Sequence, residues 1–369
     1  MRLAYDVTAL YSARTGVGVF TEEVLARLAA RSGIDVTAYA VTWRGRGRLP
    51  ALVPPGVRTA RGPMAAQPLR RLWRRGDWPT IEWWTGPAEV VHGPNFVVPP
   101  TRRAGRLATV HDLTPVHFPD LSTADTLQYP QLIRRALESG AHLHAVSRFV
   151  ATEVIDVFGA DPERVHVVAN GVSTSVEGCD AVRGRELAGG PRYVRALGAV
   201  EPRKDLPGLV RAFDAAAADD DDLRLVVAGP DGWDRGAFTA AVEAARHRTR
   251  LVRHGWVGGK ARADLLAGAS VFAYPSRYDG FGLPPLEAMA AGVPVVTTTA
   301  GALPETVGDA AVLVAPGDSD ALAGALSRVL ADEGLRTVLV ERGRARARGF
   351  SWEACADGLV AVYERLCDN

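Results

Sequence analysis

The chain has 369 residues, 47% hydrophobic and 23% charged, with a formal net charge of +1, which excludes disordered and fibrous proteins and exceeds what one core normally supports. Three widely separated cysteines, Cys179, Cys355 and Cys367, fit no metal-ligand spacing, and no stretch approaches the roughly eighteen apolar residues of a membrane span, so a soluble, cytoplasmic, two-domain protein is expected. The near-neutral balance conceals nine arginines from Arg44 to Arg75 (44, 46, 48, 58, 61, 70, 71, 74 and 75) with no acidic residue among them, and no nucleic-acid partner is expected.

Short Val/Ala/Leu-rich strands alternate with amphipathic helices from end to end, which predicts an α/β fold of parallel sheets covered by helices. In the first half the strands fall near Leu3–Val7, Asp35–Val41, Val90–His92, Leu107–Val110, His142–Val146 and Val165–Val168. After the first strand, Asp6 to Glu22 forms a glycine-bearing loop, and Gly16 and Gly18 open a helix with Val24, Leu25 and Leu28 on its apolar side. Glycines at a helix start can cradle a phosphate. A nicotinamide-type fingerprint would need a third glycine at position 21, where Thr21 stands. Residues 68–84 interleave arginines with Trp73, Trp78, Trp83 and Trp84, a mixture suited to a membrane interface or to a surface helix whose aromatic residues pack inward. Two strand ends carry polar residues: His92 and Asn95 after one, His111 and Asp112 after another. His142 and His144 alternate along a strand without further metal-ligand spacing and read as structural. Ser147 is positioned to cap a helix to Phe158, with Val150, Val154 and Phe158 on its apolar face and Gly159 ending it.

Periodicity breaks at Gly171–Gly190, which places an N-terminal domain at 1–172, a linker at 173–191 and a C-terminal domain at 192–350. The second series of strands lies near Tyr193–Leu197, Leu223–Ala228, Leu251–Arg253, Val271–Tyr274, Val293–Thr297 and Ala311–Val314, with helices such as Leu206–Ala217 and Asp320–Leu330. Two doubly wound halves collect ligands beyond the carboxyl ends of their strands, in a cleft lined by strand-to-helix loops. Gly198, Glu201, Arg203 and Lys204 follow one strand, and the adjacent cations suit a diphosphate: arginine by bidentate hydrogen bonding, lysine as a point charge. Asp219 to Asp222 reads as a solvated turn rather than a metal site. Pro275 to Pro294 is a Gly/Pro-rich loop running into a helix that begins about Pro284. Its glycines, Gly280 and Gly282, allow close approach of a ligand to backbone N–H groups, with Phe281 and Leu283 beside them. Asp279 and Glu287 could bind hydroxyls at opposite ends of a long ligand.

With these motifs together, the sequence resembles glycosyltransferase family 4, of the two-Rossmann-domain type called GT-B, in particular mannosyl- and rhamnosyltransferases. Its hallmark is a carboxylate, seven residues, then Glu. The resemblance implies that Asp279, where the family usually has Glu, meets the donor sugar and that Glu287 holds the ribose. It further implies that Arg203, Lys204, Gly16 and loop amides stabilise the departing diphosphate, that His111 sits against the transferred sugar, and that a final helix, Trp352–Leu366 within segment 351–369, crosses back to the N-terminal domain. His92, Asn95 and Asp112 are assigned to the acceptor side. The expected activity is metal-independent, cofactor-independent, retaining transfer from a sugar nucleotide, with GDP-mannose favoured, to a glycan, lipid-linked or small-molecule acceptor, with peripheral membrane contact through 68–84. A phosphorylase or nucleotide-sugar isomerase on the same fold, and a non-catalytic sugar-nucleotide sensor, are the alternatives.

Overall fold

The computed structural model describes residues 1–11, 15–173 and 178–368; residues 12–14 of the first glycine-bearing loop and 174–177 of the expected linker lie outside them. The chain divides into two compact units, Met1–Gly171 with Ser351–Asn369, and Val172–Phe350.

Among its described residues the first unit holds seven strands: β1 (Arg2–Asp6), β2 (Asp35–Tyr39), β3 (Arg58–Thr59), β4 (Val90–Gly93), β5 (Gly105–Val110), β6 (His142–Ala145) and β7 (Val165–Val167). They form one sheet in the order β3-β2-β1-β4-β5-β6-β7, with neighbouring strands parallel. Six of the seven were legible as apolar runs; the two-residue β3 was not, because it lies inside the arginine-rich stretch and pairs only at the sheet edge. Helices cover both faces, so Val90, Val91, Leu107 and Ala108 are all fully buried, and each valine or leucine contributes on the order of 1.5–3 kcal/mol. Ser147 caps the helix Arg148–Phe158 by accepting the Val150 N–H at 3.1 Å, and Gly159 ends it in the left-handed conformation. The final helix, Trp352–Asp368, belongs to this unit. Its Trp352, Leu359, Tyr363 and Leu366 join Leu3, Tyr5 and Phe20 in one core. A side chain on Gly171 would fall on the Trp352 backbone, so only glycine permits that approach.

The second unit holds β8 (Arg192–Leu197), β9 (Leu223–Ala228), β10 (Leu251–Arg253), β11 (Val271–Tyr274), β12 (Val295–Thr298) and β13 (Ala311–Val314), in the parallel order β10-β9-β8-β11-β12-β13. One expectation is corrected: the stretch read as a linker contains the helix Ala181–Ala188, capped by Asp180 and ended by Gly189. It packs so closely on the helix Gly259–Ala267 that a side chain on Gly184 would strike the Asp264 carbonyl oxygen. Glycine and scattered charges made this segment look irregular, whereas Gly184 is there for helix contact. Among the described residues, no helix is long and apolar enough to cross a membrane.

Candidate functional site

In the second unit the polar residues gather where β8 and β11 end. After β8, Gly198 (φ +151) turns the chain beneath the Lys204 side chain, and Pro202–Lys204 forms one 3-10 turn. The Arg203 carbonyl accepts the Arg277 N–H at 2.7 Å and the Ser276 hydroxyl at 3.1 Å, which binds this turn to the loop after β11. Lys204 Nζ donates to Asp279 Oδ2 at 2.8 Å and to the Tyr274 hydroxyl, which in turn donates to Asp279 Oδ2 at 2.7 Å. Arg203 extends Nε to Glu201 at 2.8 Å.

Asp279 is the centre of this arrangement, because its other oxygen, Oδ1, accepts the N–H groups of Phe281 at 3.1 Å and Gly282 at 2.8 Å. Burial alone would raise its carboxyl, but Lys204 and Arg203 outweigh burial and hold it well below the usual carboxylate range. For Lys204, burial and then Arg203 push the ammonium down while Asp279 opposes them. Two expectations are therefore corrected. With four protein donors on a carboxylate that has about four acceptor positions, Asp279 has little capacity left for a sugar hydroxyl and acts as the fastener of the loop. The Phe281 and Gly282 amides, expected to face a diphosphate, are already taken. Pro284 and Pro285 have no N–H, so Leu283 supplies the open amide in the first turn of the helix Leu283–Ala290.

Gly282 adopts φ +93 at the start of that helix, where a side chain would press within 2.8 Å of Leu303. Phe281 is buried edge-on against Phe350, and Gly280 is buried beside it. Glu287, on the same helix, is held by Arg262 from the helix Gly259–Ala267. Arg262, Tyr274 and Glu201 were missed as site residues. A tyrosine closing an otherwise apolar strand was a signal for Tyr274; nothing local in the sequence connects Arg262 with a glutamate 25 positions later.

The first unit carries its own set. Gly16 starts the helix Gly16–Ala29 and is exposed, with open space where a side chain would stand; the Gly18 N–H is already accepted by Thr15 at 3.3 Å. His111 donates from Nε2 to the Pro94 carbonyl at 2.7 Å, which leaves the lone pair of the neutral ring on Nδ1. Burial lowers its pKa, against the opposing effects of Pro94 and Asp112. Asp112 accepts the Thr114 N–H at 2.9 Å and fixes the turn after β5. Asn95 is half-buried on the loop after β4. His92 is corrected: it is wholly buried, bonded through Nδ1 to Tyr363 at 2.6 Å and through Nε2 to Thr109 at 2.7 Å, so it is a core histidine with no face toward a ligand. Thr109 continues to His144 at 2.9 Å.

Segment 68–84 divides its aromatic residues. Leu69 and Trp73 pack inward from the helix Ala66–Trp73, while Trp78 and Trp83 are about 60% exposed.

Two doubly wound parallel sheets, with a fastened Arg-Lys turn and a glycine loop at the strand ends of one, define a glycosyltransferase of the GT-B fold class. Residues 14–176 match the family described as Glycosyltransferase Family 4, and residues 181–346 match Glycosyl transferases group 1. The O-antigen chain mannosyltransferase B of Escherichia coli is 31% identical over 307 residues, which cover 81% of this chain and 78% of that one. The protein belongs to glycosyltransferase family 4. Among solved structures, sucrose-phosphate synthase from Thermosynechococcus elongatus is similar at a TM-score of 0.75 and 21% identity, over 99% of this chain and 98% of that one. Anabaena Alr3699/HepE, solved with UDP and glucose, is similar at 0.73 and 16% identity, over 98% and 99%. At these identities the likeness is one of fold.

Proposed function

We propose that the protein moves a hexose, mannose in our reading, from a nucleoside-diphosphate sugar such as GDP-mannose to a hydroxyl of a glycan, lipid-linked or small-molecule acceptor, with retention of anomeric configuration. The observation that carries this reading is the pair Arg203 and Lys204 at the end of β8, fastened to the loop that leads to Glu287. Two cations and the Leu283 N–H can stabilise a departing diphosphate without a metal ion or cofactor. Glu287, steadied by Arg262, can accept ribose hydroxyl protons. Because Asp279 is saturated by four hydrogen bonds and ion-paired, it is poorly suited to act as a nucleophile. That favours a front-face reaction in which the acceptor hydroxyl gives its proton to the leaving phosphate oxygen. Mannose is supported by the relative from Escherichia coli, a mannosyltransferase by name.

A pyridoxal-phosphate phosphorylase would need a free lysine. The chain has two, Lys204 and Lys260, and they are engaged with Asp279 and Asp264 respectively. Peripheral contact with an anionic membrane is supported by exposed Trp78, Trp83, Trp43 and Leu72 close in sequence to the arginines of 44–75. Absence of sedimentation with anionic vesicles at low salt would refute that contact. A thermal-shift panel of GDP-, UDP-, ADP- and dTDP-sugars, followed by turnover with chelator present, tests the donor. Stabilisation by GDP-mannose and chelator-insensitive release of GDP are expected; a shift with UDP-sugars alone would overturn the choice of donor.

A further inference from the structure

A small cavity of about 30 Å³ opens in the first unit at the carboxyl ends of β1 and β4. Asp6, Asn95, Arg70, Trp73 and Tyr129 are among the residues that line it. By its volume it admits one or two waters, or one hydroxyl of a larger molecule at its mouth.

Its polar groups are only half matched. Asp6 Oδ1 accepts the Thr8 N–H at 2.7 Å and the Thr8 hydroxyl, whereas Oδ2 accepts no hydrogen bond among the described residues. Burial pushes the Asp6 carboxyl up to about 6, against Thr8 and Arg70, which favour its ionised form. Arg70 Nη1 is buried and lies 3.2 Å from Asp125 Oδ2 in an orientation that makes no hydrogen bond. The side-chain amide of Asn95 engages no partner among the described residues. Phe96, next to Asn95, adopts φ +62, is pinned by its N–H to the Thr109 carbonyl at 2.8 Å, and stacks on Tyr129. Such a backbone is costly for a phenylalanine and fixes the direction of the residue before it.

A carboxylate oxygen with no donor and a guanidinium nitrogen that is ion-paired to Asp125 but makes no hydrogen bond, in one small cavity, select for a group that both donates and accepts. A phosphate would be repelled by Asp6, and an ammonium has no lone pair to accept from Arg70 or Asn95. A neutral hydroxyl can donate to Asp6 Oδ2 while accepting from Arg70 or Asn95. We propose that this cavity receives a hydroxyl of a neutral saccharide acceptor, read by Asp6 with Arg70 and Asn95. The proposal rests on the transferase reading above, and it places acceptor recognition at residues separate from Arg203, Lys204 and Glu287.

Saturation-transfer NMR with methyl α-mannopyranoside as probe, and with glucosamine and mannose 6-phosphate as charged counterparts, tests it on the full chain. Wild type should bind the neutral glycoside in preference to both charged probes, and Asp6→Asn and Asn95→Ala should each weaken that binding, by about tenfold for the hydrogen bond to the Asp6 carboxylate and by about threefold or more for the neutral one to Asn95. Asp6→Asn keeps the Thr8 contacts and removes an ionised group that burial disfavours, so its thermal midpoint at neutral pH should match or exceed that of wild type. A large fall in midpoint would make Asp6 structural and overturn the proposal. Equal glycoside binding by wild type and Asp6→Asn, no binding by wild type, or a preference for a charged probe would also overturn it. Failure of the donor reading is recognised separately, as a lack of stabilisation by any sugar nucleotide in wild type.

Discussion

Replacing Lys204 with methionine keeps the length of the side chain and removes its charge from a site where Lys204 is 9% and Asp279 14% exposed. Breaking a buried ion pair costs about 3–5 kcal/mol when the remaining charge has no other partner. Asp279 keeps three donors, the Phe281 and Gly282 amides and the Tyr274 hydroxyl, with Arg203 nearby, so about 2–3 kcal/mol is the expected loss. For a unit of this size each kcal/mol moves the midpoint by roughly 2–4 °C, which gives a fall of about 5–10 °C in scanning calorimetry. The double variant Lys204→Met with Asp279→Asn no longer strands a carboxylate and should recover at least half of that fall, although turnover stays absent in both. An unchanged midpoint in the single variant, or losses that simply add in the double, would refute Asp279 as the fastener of the loop.

Other consequences follow from the same contacts. Arg262→Ala should weaken nucleotide binding about tenfold by releasing Glu287, with little change in stability; isothermal titration with GDP checks this. Gly301→Ala introduces a side chain at φ +57 against the Asp279 carbonyl oxygen and should reduce turnover by about a hundredfold or more, measured as GDP release at saturating donor. Acidification should destabilise the first unit. Burial holds His144 at about 3 when folded against about 6.5 unfolded, so the unfolded chain binds the proton first as the pH falls below 6.5. That single group makes folding about 2 kcal/mol less favourable at pH 5 than at pH 8, and His92 and His111 shift in the same direction. Denaturant titrations across that range, with His144→Gln as a non-titrating control, should show the decline and its flattening.

Much of this fold was legible because parallel strands buried on both faces leave uninterrupted apolar runs. Twelve of the thirteen strands among the described residues stood out for that reason. The capped helix Arg148–Phe158 was legible because Ser147 and Gly159 carry out local chemistry. What escaped depended on distant partners. Gly184 looked like irregular chain until the helix Gly259–Ala267 was seen against it. His92 looked like a residue at a strand end, yet Tyr363, 271 positions away, closes over its ring. At the site, the strand-end cations and the Asp279–Glu287 spacing were visible, while their allocation was not. Sequence cannot tell whether a loop amide faces outward or caps a carboxylate two residues earlier, and here Asp279 takes the amides of Phe281 and Gly282.

The most direct test of the account is proton NMR of the reaction of the purified protein with GDP-mannose and a neutral mannoside acceptor, following the anomeric signals as GDP is released. The account predicts consumption of the donor and a new α-linked mannoside. A β-linked product, or no transfer from any sugar nucleotide under conditions where the wild-type chain is folded, would contradict it.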